Sequence, residues 1–159
     1  MRVLIIEDEK TVGEVFRDFV AGLGHQPIVT TSAERGLEML WSERPDTILL
    51  DVRLPGMSGL EFLGLPSVRD SGIPVVAVSG VASEDQAREC LGLGAFDFIS
   101  KPVSLDRLSA VLSFLEPFAR SRQRADGPGG FVRRPAPRVA VDFPVRIVPI
   151  TTARGSLRC

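Results

Sequence analysis

The chain has 159 residues with a formal net charge of −1, 44% hydrophobic and 25% charged, a composition suited to a soluble globular protein of one ordinary domain plus a fragment. Its longest apolar runs are strand-sized, which excludes a bilayer-spanning helix, and the opening "MRVLII" is too short for a signal peptide and lacks a cleavage site. Cys90 and Cys159 show no metal or disulfide spacing and His25 is the only histidine, so the expectation is a reduced cytoplasmic protein without a histidine-based metal site.

Apolar runs of strand length recur along the chain: "VLII" (3–6), "PIV" (27–29), "TILL" (47–50), "IPVVAVS" (73–79) and "FDFI" (96–99). Between the first two, Val12, Val15, Phe16, Phe19, Val20 and Leu23 fall on one face of a helix. Ala33, Leu37, Leu40 and Trp41 repeat that spacing after Ser32, an N-cap candidate. After the third run, "GLP" (64–66) should break or shorten the helix that "SGLEFL" begins. "SEDQ" (83–86) reads as a capping box before Ala87, Cys90 and Leu91. Leu105, Leu108, Val111, Leu112 and Leu115 mark a last helix after Ser104.

Strands that alternate with helices imply a parallel sheet covered on both faces, here a doubly wound α/β domain over residues 1–119. Charge divides the chain at the same place. Residues 1–119 carry 10 Lys and Arg against 18 Asp and Glu, whereas 120–159 carry nine arginines against Asp126 and Asp142. The polar, Gly-rich "RSRQRADGPGG" (120–130) suggests a flexible linker. Residues 131–159 hold a β-like stretch, "RVAVDFPVRIVPI", in which prolines suit only edges or ends.

In an open parallel sheet, ligands bind beyond the carboxyl ends of the strands. The first strand ends in Glu7 and Asp8, the third in Asp51, and the fourth in Ser79 and Gly80; the fifth runs into Lys101 and Pro102. Three carboxylates crowded together repel one another unless a cation sits among them. Hard oxygen donors select Mg²⁺. A lysine and a hydroxyl beside such a cation suit a phosphoryl group, and an aspartate there can be its nucleophile. Taken singly, each residue has a plainer role as a cap, a turn or a solvated charge. Four consecutive assignments to strand tips of one sheet favour a site.

"IIEDE", "ILLDVRLPGMSGLEFL", "VVAVSG" and "GAFDFISKP" resemble, in order and over residues 1–119, a response-regulator receiver domain of a bacterial two-component system. The resemblance implies a flavodoxin-like sheet of order 2-1-3-4-5. It implies that Asp51 accepts a phosphoryl group from a sensor histidine kinase or phosphotransfer protein, so that the domain is a switch rather than an enzyme on an external substrate. Asp8 and Asp51 would bind Mg²⁺ directly, with Glu7 acting through water and Arg53 through its backbone carbonyl. Ser79 and Lys101 would contact the phosphoryl oxygens, and the Lys101–Pro102 bond would be cis. Arg53 and Val81 would tune the phosphoryl lifetime. Phe98 would be the switch aromatic, turning inward as Ser79 moves and altering a partner-binding face of fourth helix, fifth strand and fifth helix. Glu7 in place of the commoner Asp, and Ser79 in place of Thr, depart from the family pattern.

"FVRRPAPRVAVDFPVRI" (131–147) resembles the opening of a PilZ domain, a cyclic di-GMP-binding β-barrel, with Arg133, Arg134 and Arg138 as the arginine cluster. The barrel's further strands and second motif are not present before Cys159, so residues 131–159 are expected to be an N-terminal fragment of a PilZ-like domain or a basic tail. Two other functions compete: an aspartate-nucleophile phosphatase or phosphotransferase, and an anion- or nucleic-acid-binding protein acting through the tail. The first class wants Asp-x-Asp after the first strand, whereas Asp51 follows the third. No DNA-binding domain is evident in the tail, which lacks helical periodicity.

Overall fold

The computed structural model describes residues 1–81 and 83–125. Strands β1 (Arg2–Ile6), β2 (Gln26–Thr30), β3 (Thr47–Asp51), β4 (Val75–Ser79) and β5 (Asp97–Ser100) form one sheet of order β2-β1-β3-β4-β5. Every pairing is parallel, with Val3 opposite Thr47, Ile48 opposite Val75 and Val76 opposite Asp97. Helices α1 (Lys10–Gly22), α2 (Ala33–Ser42), α3 (Gly59–Gly64), α4 (Pro66–Asp70), α5 (Glu84–Gly92) and α6 (Leu105–Ala125) connect and follow them. The doubly wound parallel sheet expected from the strand-helix alternation is therefore present, in the flavodoxin-like order that the receiver resemblance implied.

The inner strands β1, β3 and β4 read as nearly continuous apolar runs because both faces of the sheet are covered. Alternate residues enter two cores. Leu4, Ile6, Ile48, Leu50, Val75, Ala77 and Phe98 pack on one side with Phe62, Ala87 and Cys90. Val3, Ile5, Leu49, Val76, Val78 and Ile99 pack on the other with Phe16, Val20, Leu108 and Leu112. The period-2 geometry of a strand produces this division.

Ser32 caps α2 as expected, its hydroxyl accepting from the Arg35 amide at 3.1 Å. Ser83 likewise accepts from the Gln86 amide at 3.1 Å, but Gln86 Oε1 has no hydrogen-bond partner, so only half of the expected capping box forms. A complete box forms instead at Ser58 and Glu61. The "GLP" stretch does break its helix: Leu65, at φ −69° and ψ 133°, separates α3 from α4, which opens on Pro66. A residue before proline is steered towards such extended conformations.

Helix α6 continues to Ala125 and so takes in the first half of the 120–130 stretch expected to be a linker. Composition there is polar, but Arg120 pairs with Glu116 one turn back at 3.1 Å, and Gln123 Nε2 donates to Asp46 at 3.5 Å. These contacts supply what the lack of apolar periodicity hid. Among the described residues, no helix is long and apolar enough to cross a membrane.

Candidate functional site

Four of the five strands, β1, β3, β4 and β5, deliver a polar group to the same end of the sheet. Glu7 follows β1, its amide extending the β1–β2 ladder by donating to the Thr30 carbonyl at 3.0 Å. Asp51 closes β3, and the next amide, that of Val52, still donates to Val78 in β4 at 2.9 Å. Ser79 closes β4, and its carbonyl accepts from the Lys101 amide at 2.8 Å. The backbone ladder therefore fixes the positions from which all four side chains project. The Lys101–Pro102 bond is cis.

Glu7, Asp8 and Asp51 each offer a carboxylate oxygen within 4.8 Å of the others. Glu7 is 1% and Asp51 6% exposed, while Asp8 is open to solvent. Burying two carboxylates together is costly unless they are paired and hydrogen-bonded. The pairing comes from Lys101, whose Nζ donates to Glu7 Oε2 at 2.9 Å and to Asp51 Oδ2 at 3.4 Å. The remaining oxygens are also engaged: the Glu9 amide donates to Glu7 Oε1 at 3.0 Å, and the Arg53 amide to Asp51 Oδ1 at 3.0 Å. Burial works to lower the Lys101 pKa, but the hydrogen bond to Glu7 and the charges of Asp51 and Glu7 outweigh it and raise the pKa above the ordinary value.

Three oxygen donors around one point, one of them exposed, suit a hard divalent cation that keeps part of its water. The donor set therefore fits Mg²⁺. Arg53 and Val81 stand exposed at the mouth of the site. The Ser79 hydroxyl is turned into its own loop, accepting from the Val81 amide at 3.1 Å and donating to the Val81 carbonyl at 3.3 Å.

Phe98 lies opposite Ala77 in the β4–β5 register and is completely buried in the core. The inward turn expected of it therefore has no outward starting point in this structure. Two features of the site's surroundings were missed from the sequence. Asp97, fully buried in β5, pairs with Arg107 at 3.0 Å and accepts from the Phe98 amide at 2.8 Å. An acid inside the apolar run "FDFI" was the available signal. Glu34 accepts from the Met57 amide at 3.0 Å; nothing local announces it. Arg133, Arg134 and Arg138 lie outside the described residues.

A doubly wound five-stranded sheet with an acidic cluster and a lysine at its strand tips defines the receiver class of two-component signalling domains. Comparison agrees: the family described as the response regulator receiver domain matches residues 3–113, and the chain belongs to that family. It is 30% identical over 115 residues to the sporulation initiation phosphotransferase F of Bacillus subtilis, covering 72% of this chain and 93% of that one. It is 34% identical over 126 residues to the probable C4-dicarboxylate response regulator DctR of Halalkalibacterium halodurans, covering 78% of this chain. The signal receiver domain of a putative LuxO repressor protein from Vibrio parahaemolyticus matches at a TM-score of 0.72 and 25% identity, over 79% of this chain and 97% of that chain. The chain spans 55% of the DctR relative and 21% of the response regulator FleR of Pseudomonas aeruginosa.

Proposed function

We propose that this receiver domain takes a phosphoryl group on Asp51 from a histidine kinase or phosphotransfer protein. The observation that carries the reading is the convergence of Lys101 on Glu7 and Asp51 at the end of the sheet. An Asp51 carboxylate oxygen would attack phosphorus of a phosphohistidine. The P–N bond breaks as the P–O bond forms, and the imidazole leaves with its electron pair. The Arg53 amide fixes the carboxylate through Oδ1, and the Lys101 ammonium neutralises charge on the transferred group. Glu7, Asp8, Asp51 and the Arg53 carbonyl would hold Mg²⁺, which when bound supplies charge neutralisation for phosphoryl transfer.

Phosphorylation adds roughly two negative charges and three strong acceptor oxygens. Ser79 already has its hydroxyl in a local bond to the Val81 loop, so its recruitment to a phosphoryl oxygen would release that loop. With Phe98 already inward, the first mover is the β4–α5 loop, and the affected partner face is formed by α5, β5 and α6. The break after α3 adds one helix to the chain-order numbering, so these are the elements expected as fourth helix, fifth strand and fifth helix.

The test is labelling by acetyl phosphate with Mg²⁺, mapped by mass spectrometry. Labelling should fall on Asp51 alone and disappear in Asp51→Asn, because an amide is a poor nucleophile. Undiminished labelling of that variant would sink the assignment.

A further inference from the structure

Glu34 lies in the first turn of α2, far in sequence from the phosphoryl site, yet its carboxylate reaches the loop that follows Asp51. Glu34 Oε2 accepts from the Met57 amide at 3.0 Å. The bond to Met57 is the main cause of the lowered pKa of Glu34. Gly56, the preceding residue, has φ +73°, and a Cβ there would sit 2.8 Å from the same oxygen. Glycine at 56 thus permits the left-handed turn and the approach of the carboxylate together.

The loop is held at its base as well. The Gly59 amide donates to the Val52 carbonyl at 2.9 Å, and a Cβ on Gly59 would come within 2.6 Å of Val52 Cα. Helix α2 is itself a firm support. Ser32 caps it, and a Cβ at Gly36 would collide with Ile6 Cδ1. Between the fixed base and the clamped crest lies Arg53, whose amide holds Asp51 Oδ1.

From this arrangement we infer that Glu34 is a positioning residue: it ties the crest of the β3–α3 loop to α2 and so sets the Arg53 backbone against the Asp51 carboxylate for cation binding. The inference rests on the Mg²⁺ reading proposed above. Its chemistry is specific: the clamp needs an oxygen acceptor at position 34, not a negative charge, because its partner is a neutral amide.

The experiment compares the full chain with Glu34→Ala and Glu34→Gln by Mg²⁺ calorimetry, urea unfolding and amide exchange at Met57. In Glu34→Ala, Mg²⁺ binding should weaken about two- to tenfold, the span of one net hydrogen bond. Met57 exchange should speed up, while the urea midpoint stays close to that of the parent because Glu34 is exposed. Glu34→Gln, which keeps an acceptor oxygen, should bind Mg²⁺ within about twofold of the parent. Equal Mg²⁺ affinity in parent and Glu34→Ala would overturn the inference alone. So would a glutamine variant as weak as the alanine one, since charge rather than the clamp would then be responsible. A parent chain that binds no Mg²⁺ would overturn the site reading, and this inference with it.

Discussion

Lys101 Nζ lies 2.9 Å from Glu7 Oε2, joining residues 94 positions apart. The contact makes the ammonium the cation that two buried carboxylates require, and it places that cation beside the proposed Mg²⁺ ligands. Lys101→Ala should therefore tighten Mg²⁺ binding several-fold, because a competing positive charge has gone. The same variant, once labelled, should lose most of the chemical-shift changes that phosphorylation induces around Ser79 and Val81. Calorimetry and NMR check the two halves. Weaker Mg²⁺ binding would mean that the lysine organises the carboxylates rather than competing for them.

Asp8 and Glu7 should differ in their worth to the metal. Glu7 is already held by Lys101 and by the Glu9 amide, whereas Asp8 is exposed and has least to give up. Asp8→Ala should weaken Mg²⁺ about tenfold or more, consistent with the loss of a direct carboxylate ligand. Glu7→Gln should cost less. Calorimetry of the two variants side by side decides it, and an unchanged affinity in Asp8→Ala would contradict the ligand role.

What could be foreseen from the sequence follows physical range. The strands were legible because burial on two faces makes them continuous apolar runs, and the tip residues because each follows such a run directly. The "GLP" break was legible because proline acts on its own neighbour. Ser58–Glu61 and Ser83–Gln86 look alike as capping boxes, yet only the first closes in both directions; side-chain packing decides that, and local pattern does not carry it. The Glu34 clamp and the docking of Gln123 on Asp46 depend on elements meeting across the fold. No local signal could announce either one. Composition also concealed helix beyond residue 119, since an exposed helical turn and a linker use the same polar residues.

Cys90 should be inert in the folded protein. It is completely buried in α5, and burial, aided by the charge of Glu89, pushes its thiol pKa up from 9.0 to about 12. Thiolate is the reactive form, so iodoacetamide near pH 8 should modify Cys90 only as the domain unfolds. The pKa is raised on folding, so the folded state binds this proton more tightly. The contribution to stability is complete below pH 9 and is lost as pH rises towards about 12. Peptide mapping of Cys90 along a urea series gives the readout, and rapid alkylation without urea would show that the burial is not maintained in solution.

Asp97 and Arg107 provide the sharpest test of the scaffold behind the proposed partner face. Asp97 is fully buried, and Arg107 Nη2 reaches both its Oδ1 at 3.0 Å and the Phe98 carbonyl at 3.4 Å. The pair thus ties the start of α6 to β5, which leads directly into Lys101 at the site. Removing one partner of a buried pair strands the other, and such losses run to about 3–5 kcal/mol. Asp97→Ala should approach that range, because it also removes the acceptor of the Phe98 amide at 2.8 Å. Asp97→Asn should cost less, since an amide oxygen can still accept from Phe98. Arg107→Ala should also cost less than Asp97→Ala, because Asp97 keeps its bond to that amide. Urea unfolding of the three single variants and of the Asp97→Ala, Arg107→Ala double variant closes the cycle. The double variant should be less destabilised than the two single losses added together. Strict additivity would show that the ion pair contributes no coupling.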